Sequence, residues 1–179
     1  MGNVKLYGST SGYTELAPPA VAPDGVLSLP SGTGTLATLA DVAAAGKILQ
    51  VVYAYGVTNT TTTSTSYVTT GIVGTITPSS ATSKILVIAS AQFSVSTANI
   101  GYMTIFRGTV AGTNLGPTNG FALITTASQS PQVLQTAVWL DSPSTTSAQA
   151  YTIGFKTNGG GVTVNNANYG TITLMEVSA

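Results

Sequence analysis

From residue 47 onward the sequence breaks into nine short segments of strand character, each bounded by Gly, Pro, Ser or Asn clusters. They are Leu49–Tyr55, Tyr67–Thr77, Lys84–Val95, Gly101–Arg107, Phe121–Ala127, Val133–Asp141, Ala150–Thr157, Gly161–Val164 and Thr171–Val177. This spacing predicts a β-sandwich or barrel. Tyr151, Ile153 and Phe155 alternate with Thr152, Gly154 and Lys156, which gives one buried face and one wet face.

Two segments break the alternation. Ile85-Leu86-Val87-Ile88-Ala89 and Ala137-Val138-Trp139-Leu140 are apolar on both faces. A two-layer sandwich needs only one apolar face per sheet. The second face of these strands therefore calls for a cover, either a subunit interface or a packed arm. The plainer alternative is a central strand with tolerated exposed valines. Ile85, Val87, Ala137 and Trp139 mark the candidate subunit-interface strands. Phe93, Phe106, Phe155 and Trp139 fall in strand interiors and read most simply as core. Tyr53, Tyr55 and Tyr102 suit a sugar-stacking surface, but core or interface packing is the commoner use of tyrosine.

Residues 1–46 differ in character. They hold Pro18, Pro19, Pro23 and Pro30, half of all the prolines in a quarter of the length. Each proline pushes its predecessor toward extended geometry. Only Val4–Tyr7, Tyr13–Leu16 and Val26–Leu29 read as extended pieces, too short for a sheet with its own core. Leu36 to Ala45 is the one helix-friendly stretch, with Gly46 as its C-cap. The segment reads as an extended arm for attachment or intertwining. Its candidate anchors are Val4, Leu6, Tyr7, Tyr13, Leu16, Val26, Leu27 and Leu29. The β domain then occupies residues 47–179. Thr58 to Ser66 is a Thr/Ser run that reads as a loop or an edge strand.

Composition excludes much chemistry. The 179 residues include no histidine and no cysteine, so zinc fingers, Ser-His-Asp triads, thiol chemistry and disulfides are excluded. Charged residues make up 6% of the chain, five basic and five acidic. No basic stripe exists for nucleic acid. Ser and Thr supply roughly a quarter of the chain, against a lower average usage. A surface with so little charge suits a subunit of an assembly, since it has little colloidal protection alone. The N-terminal residues lack the apolar core of a secretory signal, and Leu39–Val57 is too interrupted to span a membrane. The acids Glu15, Asp24, Asp41, Asp141 and Glu176 are scattered, so a paired-carboxylate glycosidase is disfavoured. Gly32-Thr33-Gly34 and Gly46-Lys47-Ile48 fail the dinucleotide and P-loop patterns. Asn158-Gly159-Gly160-Gly161 reads as a hairpin turn. No catalytic, cofactor or metal residue is assigned.

Several segments resemble tailed-bacteriophage fibre and decoration proteins. They are Ile76-Thr77-Pro78-Ser79-Ser80-Ala81-Thr82-Ser83-Lys84-Ile85-Leu86-Val87, Asp141-Ser142-Pro143-Ser144-Thr145-Thr146-Ser147 and Thr171-Ile172-Thr173-Leu174-Met175-Glu176. Gly8-Ser9-Thr10-Ser11-Gly12-Tyr13 through Leu27-Ser28-Leu29-Pro30-Ser31-Gly32-Thr33-Gly34-Thr35-Leu36 resembles the opening segment of phage fibre proteins. The resemblance covers most of the chain, on turn and strand patterns. It implies a non-enzymatic virion protein, a homotrimer on the virion surface, held by its N-terminal segment to a capsid, tail or baseplate protein. The missing long shaft favours a head fibre or capsid decoration protein. The alternative it implies is a short tail fibre contacting host glycan, with Val110–Gly120 and Asn158–Gly161 as candidate loops. The expected architecture is all-β. A C-terminal antiparallel β-sandwich, jelly-roll-like from its strand count and the resemblance, follows the extended arm.

Overall fold

The computed structural model describes residues 4–7, 13–16, 46–96, 98–125, 132–164 and 170–179. The chain divides into two units, Met1–Thr38 and Leu39–Ala179. In the first, β1 (Val4–Tyr7) and β2 (Tyr13–Leu16) pair antiparallel, with Val4 opposite Leu16 and Tyr7 opposite Tyr13. These two extended pieces satisfy each other's backbone groups. The expected extended piece at Val26–Leu29 and the helix-friendly stretch Leu36–Ala45 lie outside the described residues.

The second unit contains β3 (Ile48–Gly56), β4 (Thr60–Thr62), β5 (Val68–Ile76), β6 (Lys84–Val95) and β7 (Ile100–Arg107). After them come β8 (Thr113–Asn114), β9 (Ala122–Thr125), β10 (Gln132–Asp141), β11 (Gln149–Thr157), β12 (Val162–Val164) and β13 (Gly170–Val177). The nine expected segments all appear as strands. The Thr/Ser run contributes β4, an edge strand against β12.

Every pairing is antiparallel, and the strands form two sheets. One runs β3-β13-β6-β10 and the other β5-β11-β7-β9. Eight antiparallel strands in this order make a jelly roll. The short strands fill leftover edges. Along β6, β10 takes one edge over residues 85–94, so β13 (at 84–90) and β12 (at 93–95) share the other. Along β7, β9 pairs at 100–103 and β8 at 106–107. The Asn158–Gly161 turn is not a hairpin, as its sequence suggests. It links β11 in the second sheet to β12 in the first. Its glycines serve a crossing between layers rather than a two-strand reversal.

The core lies between the sheets, because alternate residues of each strand point inward. Phe93 of β6 meets Phe155 of β11 edge to face, with ring centroids 6.2 Å apart. Ile72, Ile105, Tyr151, Ile172 and Leu174 complete the centre. Phe106 is buried too, but on the outward side of β7. Its ring packs against Tyr67 at 5.4 Å. A Cβ at Gly154 would come within 2.6 Å of that ring, so β11 has glycine where Phe106 crosses it. The segment from Gly108 to Phe121 folds back along this side of the second sheet. Its ties include Gly108 N to Ala150 O at 2.7 Å and Phe121 N to Met103 O at 2.8 Å.

Candidate functional site

Two surfaces stand out, one on each sheet. The first follows from register. Pairing aligns Val51, Met175, Leu86 and Leu140 in one cross-strand row, and Tyr53, Thr173, Ile88 and Val138 in the next. Tyr55, Thr171, Ser90 and Thr136 form the third. All point away from the core. Val51, Tyr53 and Tyr55 on β3 and Leu134, Val138 and Leu140 on β10 are exposed, Tyr53 to 61% and Leu134 to 63%. Tyr53 and Tyr55 stack on each other at 6.2 Å. Lys84, at the margin, supplies the only charge on this side of β3, β13, β6 and β10.

This register corrects the sequence-based choice of interface residues. Ile85, Val87 and Ala137 are buried between the sheets, each at most 2% exposed. In a run apolar on both faces, the sequence does not say which alternate set turns inward. The outward set is Leu86, Ile88, Val138 and Leu140. Trp139 also turns inward, but β10 is an edge strand and leaves it 39% exposed. Its ring tilts against Phe121 at 5.5 Å.

The inner rows hold the domain's two buried acids. Gln50, Glu176, Ile85 and Asp141 share one cross-strand row. Strand spacing sets the Glu176 and Asp141 Cα atoms about 10 Å apart. Neither carboxylate is free. Glu176 Oε1 accepts from Ser79 N and Ser79 Oγ, both at 2.7 Å, and Oε2 accepts from Gln50 Nε2 at 2.6 Å. Burial alone would raise this carboxyl. Hydrogen bonds from Gln50, Ser79 and Ser83 outweigh it and hold the group down at about 2. The Ser79–Ser83 turn and the C-terminal strand thus meet here.

Asp141 Oδ2 accepts from Tyr151 Oη at 2.8 Å and sits 3.2 Å from Arg107 Nε. That Nε–H is not aligned for a hydrogen bond, so the Arg107 contact is an ion pair by proximity. The cluster ties the first sheet (Asp141 on β10) to the second (Tyr151 on β11, Arg107 on β7). Burial chiefly, then the hydrogen bond to Asp141 and its charge, push the Tyr151 hydroxyl well above the ordinary phenol value. Arg107 offsets part of this. Both acids serve as structural ties.

The second surface is an open groove of about 550 Å³ on the outer side of the second sheet. Thr65, Ser66 and Tyr67 line one side, and Val110, Asn114, Gly116 and Thr118 the other, with Phe106 and Lys156 between. The expected loop Val110–Gly120 therefore forms one wall, whereas Asn158–Gly161 takes no part. Tyr67 Oη and Lys156 Nζ both donate to the Thr118 carbonyl, each at 3.1 Å. The ammonium lies 4.6 Å from the Tyr67 ring centroid and 5.3 Å from that of Tyr102. Burial first, then Tyr102, raises the Tyr67 hydroxyl to about 12. Tyr67 is therefore a neutral donor across the physiological range. The only ion pair among the described residues joins Arg107 to Asp141, so Lys156 faces a carbonyl and two rings but no carboxylate.

The candidate arm anchors Val4, Leu6, Tyr7, Tyr13 and Leu16 lie on the β1–β2 pair, and Val26, Leu27 and Leu29 lie outside the described residues. No group of three metal-ligating side chains occurs among the described residues. No family model and no curated protein matches the chain.

Proposed function

We propose that this chain is a non-enzymatic structural protein of a tailed-bacteriophage particle. It acts as a homotrimeric head fibre or capsid decoration protein on the virion surface. Residues 1–46 grip a capsid or tail protein, and the jelly roll projects outward. The observation that carries this reading is the apolar outer side of the β3-β13-β6-β10 sheet, which nothing among the described residues covers. Isolated monomers rarely expose contiguous apolar areas beyond a few hundred Å². The segment resemblances supply the particle. The two buried acids fit a structural use, because Glu176 Oε1 and Oε2 and Asp141 Oδ2 accept from the chain's own donors and neither residue lines the groove.

Deleting residues 2–46 is expected to abolish binding to purified particles while the β domain keeps its near-ultraviolet circular dichroism. Undiminished particle binding by the truncated protein would show that the arm is not the grip.

The groove favours a second reading, a short tail fibre that contacts host glycan. Tyr67, Thr118 and Lys156 offer hydroxyl, carbonyl and ammonium groups beside aromatic rings, which suits an acidic sugar. An array of neutral and acidic glycans tests it. Binding that Lys156→Ala removes supports the adhesin, and a blank array counts against it.

A further inference from the structure

We infer that the outer side of the β3-β13-β6-β10 sheet is the contact surface between copies of this chain. This assigns a surface to the self-association in the function proposed above and rests on that reading.

Three observations select the surface and its occupant. The first is size. Four strands at ~4.8 Å spacing and the three same-side rows at ~6.8 Å cover about 400 Å² in projection. Side-chain relief from Tyr53, Tyr55 and Leu134 adds to this, so the surface supplies at least half of the ~800 Å² that each partner gives to a standard interface. The second is contrast between the two sheets. On the second sheet the chain's own Tyr67 and Val110, with the Gly116–Thr118 stretch, close around Phe106, which is buried. Among the described residues nothing equivalent covers the first sheet, whose rim residues stay about half exposed or more.

The third is chemistry. Apart from Lys84 at its margin the surface carries no charge, so it offers nothing to steer a charged partner. In a ring of three copies one part of this surface meets a different part of the neighbour's, so each contact sets an uncharged, largely apolar side against one of the same polarity. Both bounding strands, β3 and β10, pair on one edge only among the described residues. An interface that covers this side also shields those edges from uncontrolled pairing.

The test uses full-length protein and light scattering on a sizing column. Tyr53→Asp and Val138→Asp place a carboxylate at the two rims of the surface, on side chains that are already exposed. Val73→Asp, exposed on the outer side of the second sheet, is the control. The native chain is expected to run as a multimer, near three chains. Both rim variants are expected to fall to one chain that keeps the near-ultraviolet circular dichroism of the folded domain, while the control keeps the native mass. Tyr55→Asp and Leu134→Asp replace any rim variant that fails to fold. A multimer that persists in both rim variants overturns this surface and leaves the assembly reading standing. A native protein that stays a single chain at every concentration overturns both. If the sheet in that monomer is protected from hydrogen exchange only while residues 2–46 are present, the occupant is the chain's own arm.

Discussion

Replacing Glu176 by alanine tests whether the buried row Gln50–Glu176–Ile85–Asp141 is a tie that the fold depends on. Glu176 is 0% exposed, and its two oxygens accept from Ser79 N, Ser79 Oγ and Gln50 Nε2. Truncation strands these donors in a site that closes the turn after β5 onto β13. An unsatisfied buried donor costs about 1–3 kcal/mol; Ser79 reaches solvent and Gln50 keeps its bond to the Thr77 carbonyl, so the expected loss is about 1–3 kcal/mol. That is a large share of the ~5–15 kcal/mol that holds a domain together. Urea unfolding followed by Trp139 fluorescence measures it. With a slope of roughly 2 kcal/mol per molar urea, the midpoint moves by about 0.5–1.5 M.

The same carboxyl makes stability depend on pH. Its folded pKa is about 2, below the 4.5 of an ordinary glutamate, so between these values the unfolded chain binds more protons. Its stabilisation is therefore complete above pH ~4.5 and disappears as pH falls through ~2. Glu176→Gln is expected to flatten this acid limb. A Glu176→Ala loss under about 1 kcal/mol, or an unchanged acid limb in Glu176→Gln, would refute the reasoning.

Two further outcomes concern the ties between the sheets. Tyr151→Phe removes the hydrogen bond to the Asp141 carboxylate and leaves that buried charge with Arg107 alone, so a loss of about 1.5–3 kcal/mol is expected in the same urea assay. Gly154→Ala sets a methyl against the Phe106 ring, where a Cβ would stand 2.6 Å from the nearest ring atom. Overpacking of this kind costs about 1–3 kcal/mol, visible as a lower Tm, with a matching gain if Phe106 is trimmed to leucine in the same protein.

Much of the fold was legible because strand signals are local. Alternation in Tyr151–Phe155 and turn clusters between segments depend on neighbours in sequence, and each expected segment from residue 47 onward forms a strand. The candidate surfaces were less legible. In Ile85–Ala89 and Ala137–Leu140 both alternate sets are apolar, and only pairing with β13 and β10 shows that Ile85, Val87 and Ala137 turn inward. The Asn158–Gly161 turn misled for a related reason. Glycine fixes where the chain can turn, but the partner strands decide whether it reverses within a sheet or crosses to the next. The Val110–Gly120 loop was singled out for its adaptable polar groups. Its opposite wall at Tyr67 and its cation at Lys156 lie some 40 residues away on either side, and no local pattern links them.

The sequence by itself determined an all-β chain with a distinct N-terminal segment, because residue period and turn chemistry act over a few residues. It also set the low charge and the absence of His and Cys, which no fold can alter. Tertiary structure alone decided the jelly-roll order, the burial of Asp141 and Glu176 as ties, and which sheet remains bare among the described residues. Those properties depend on contacts between residues far apart in the chain, and register between distant strands is fixed only when the whole core closes.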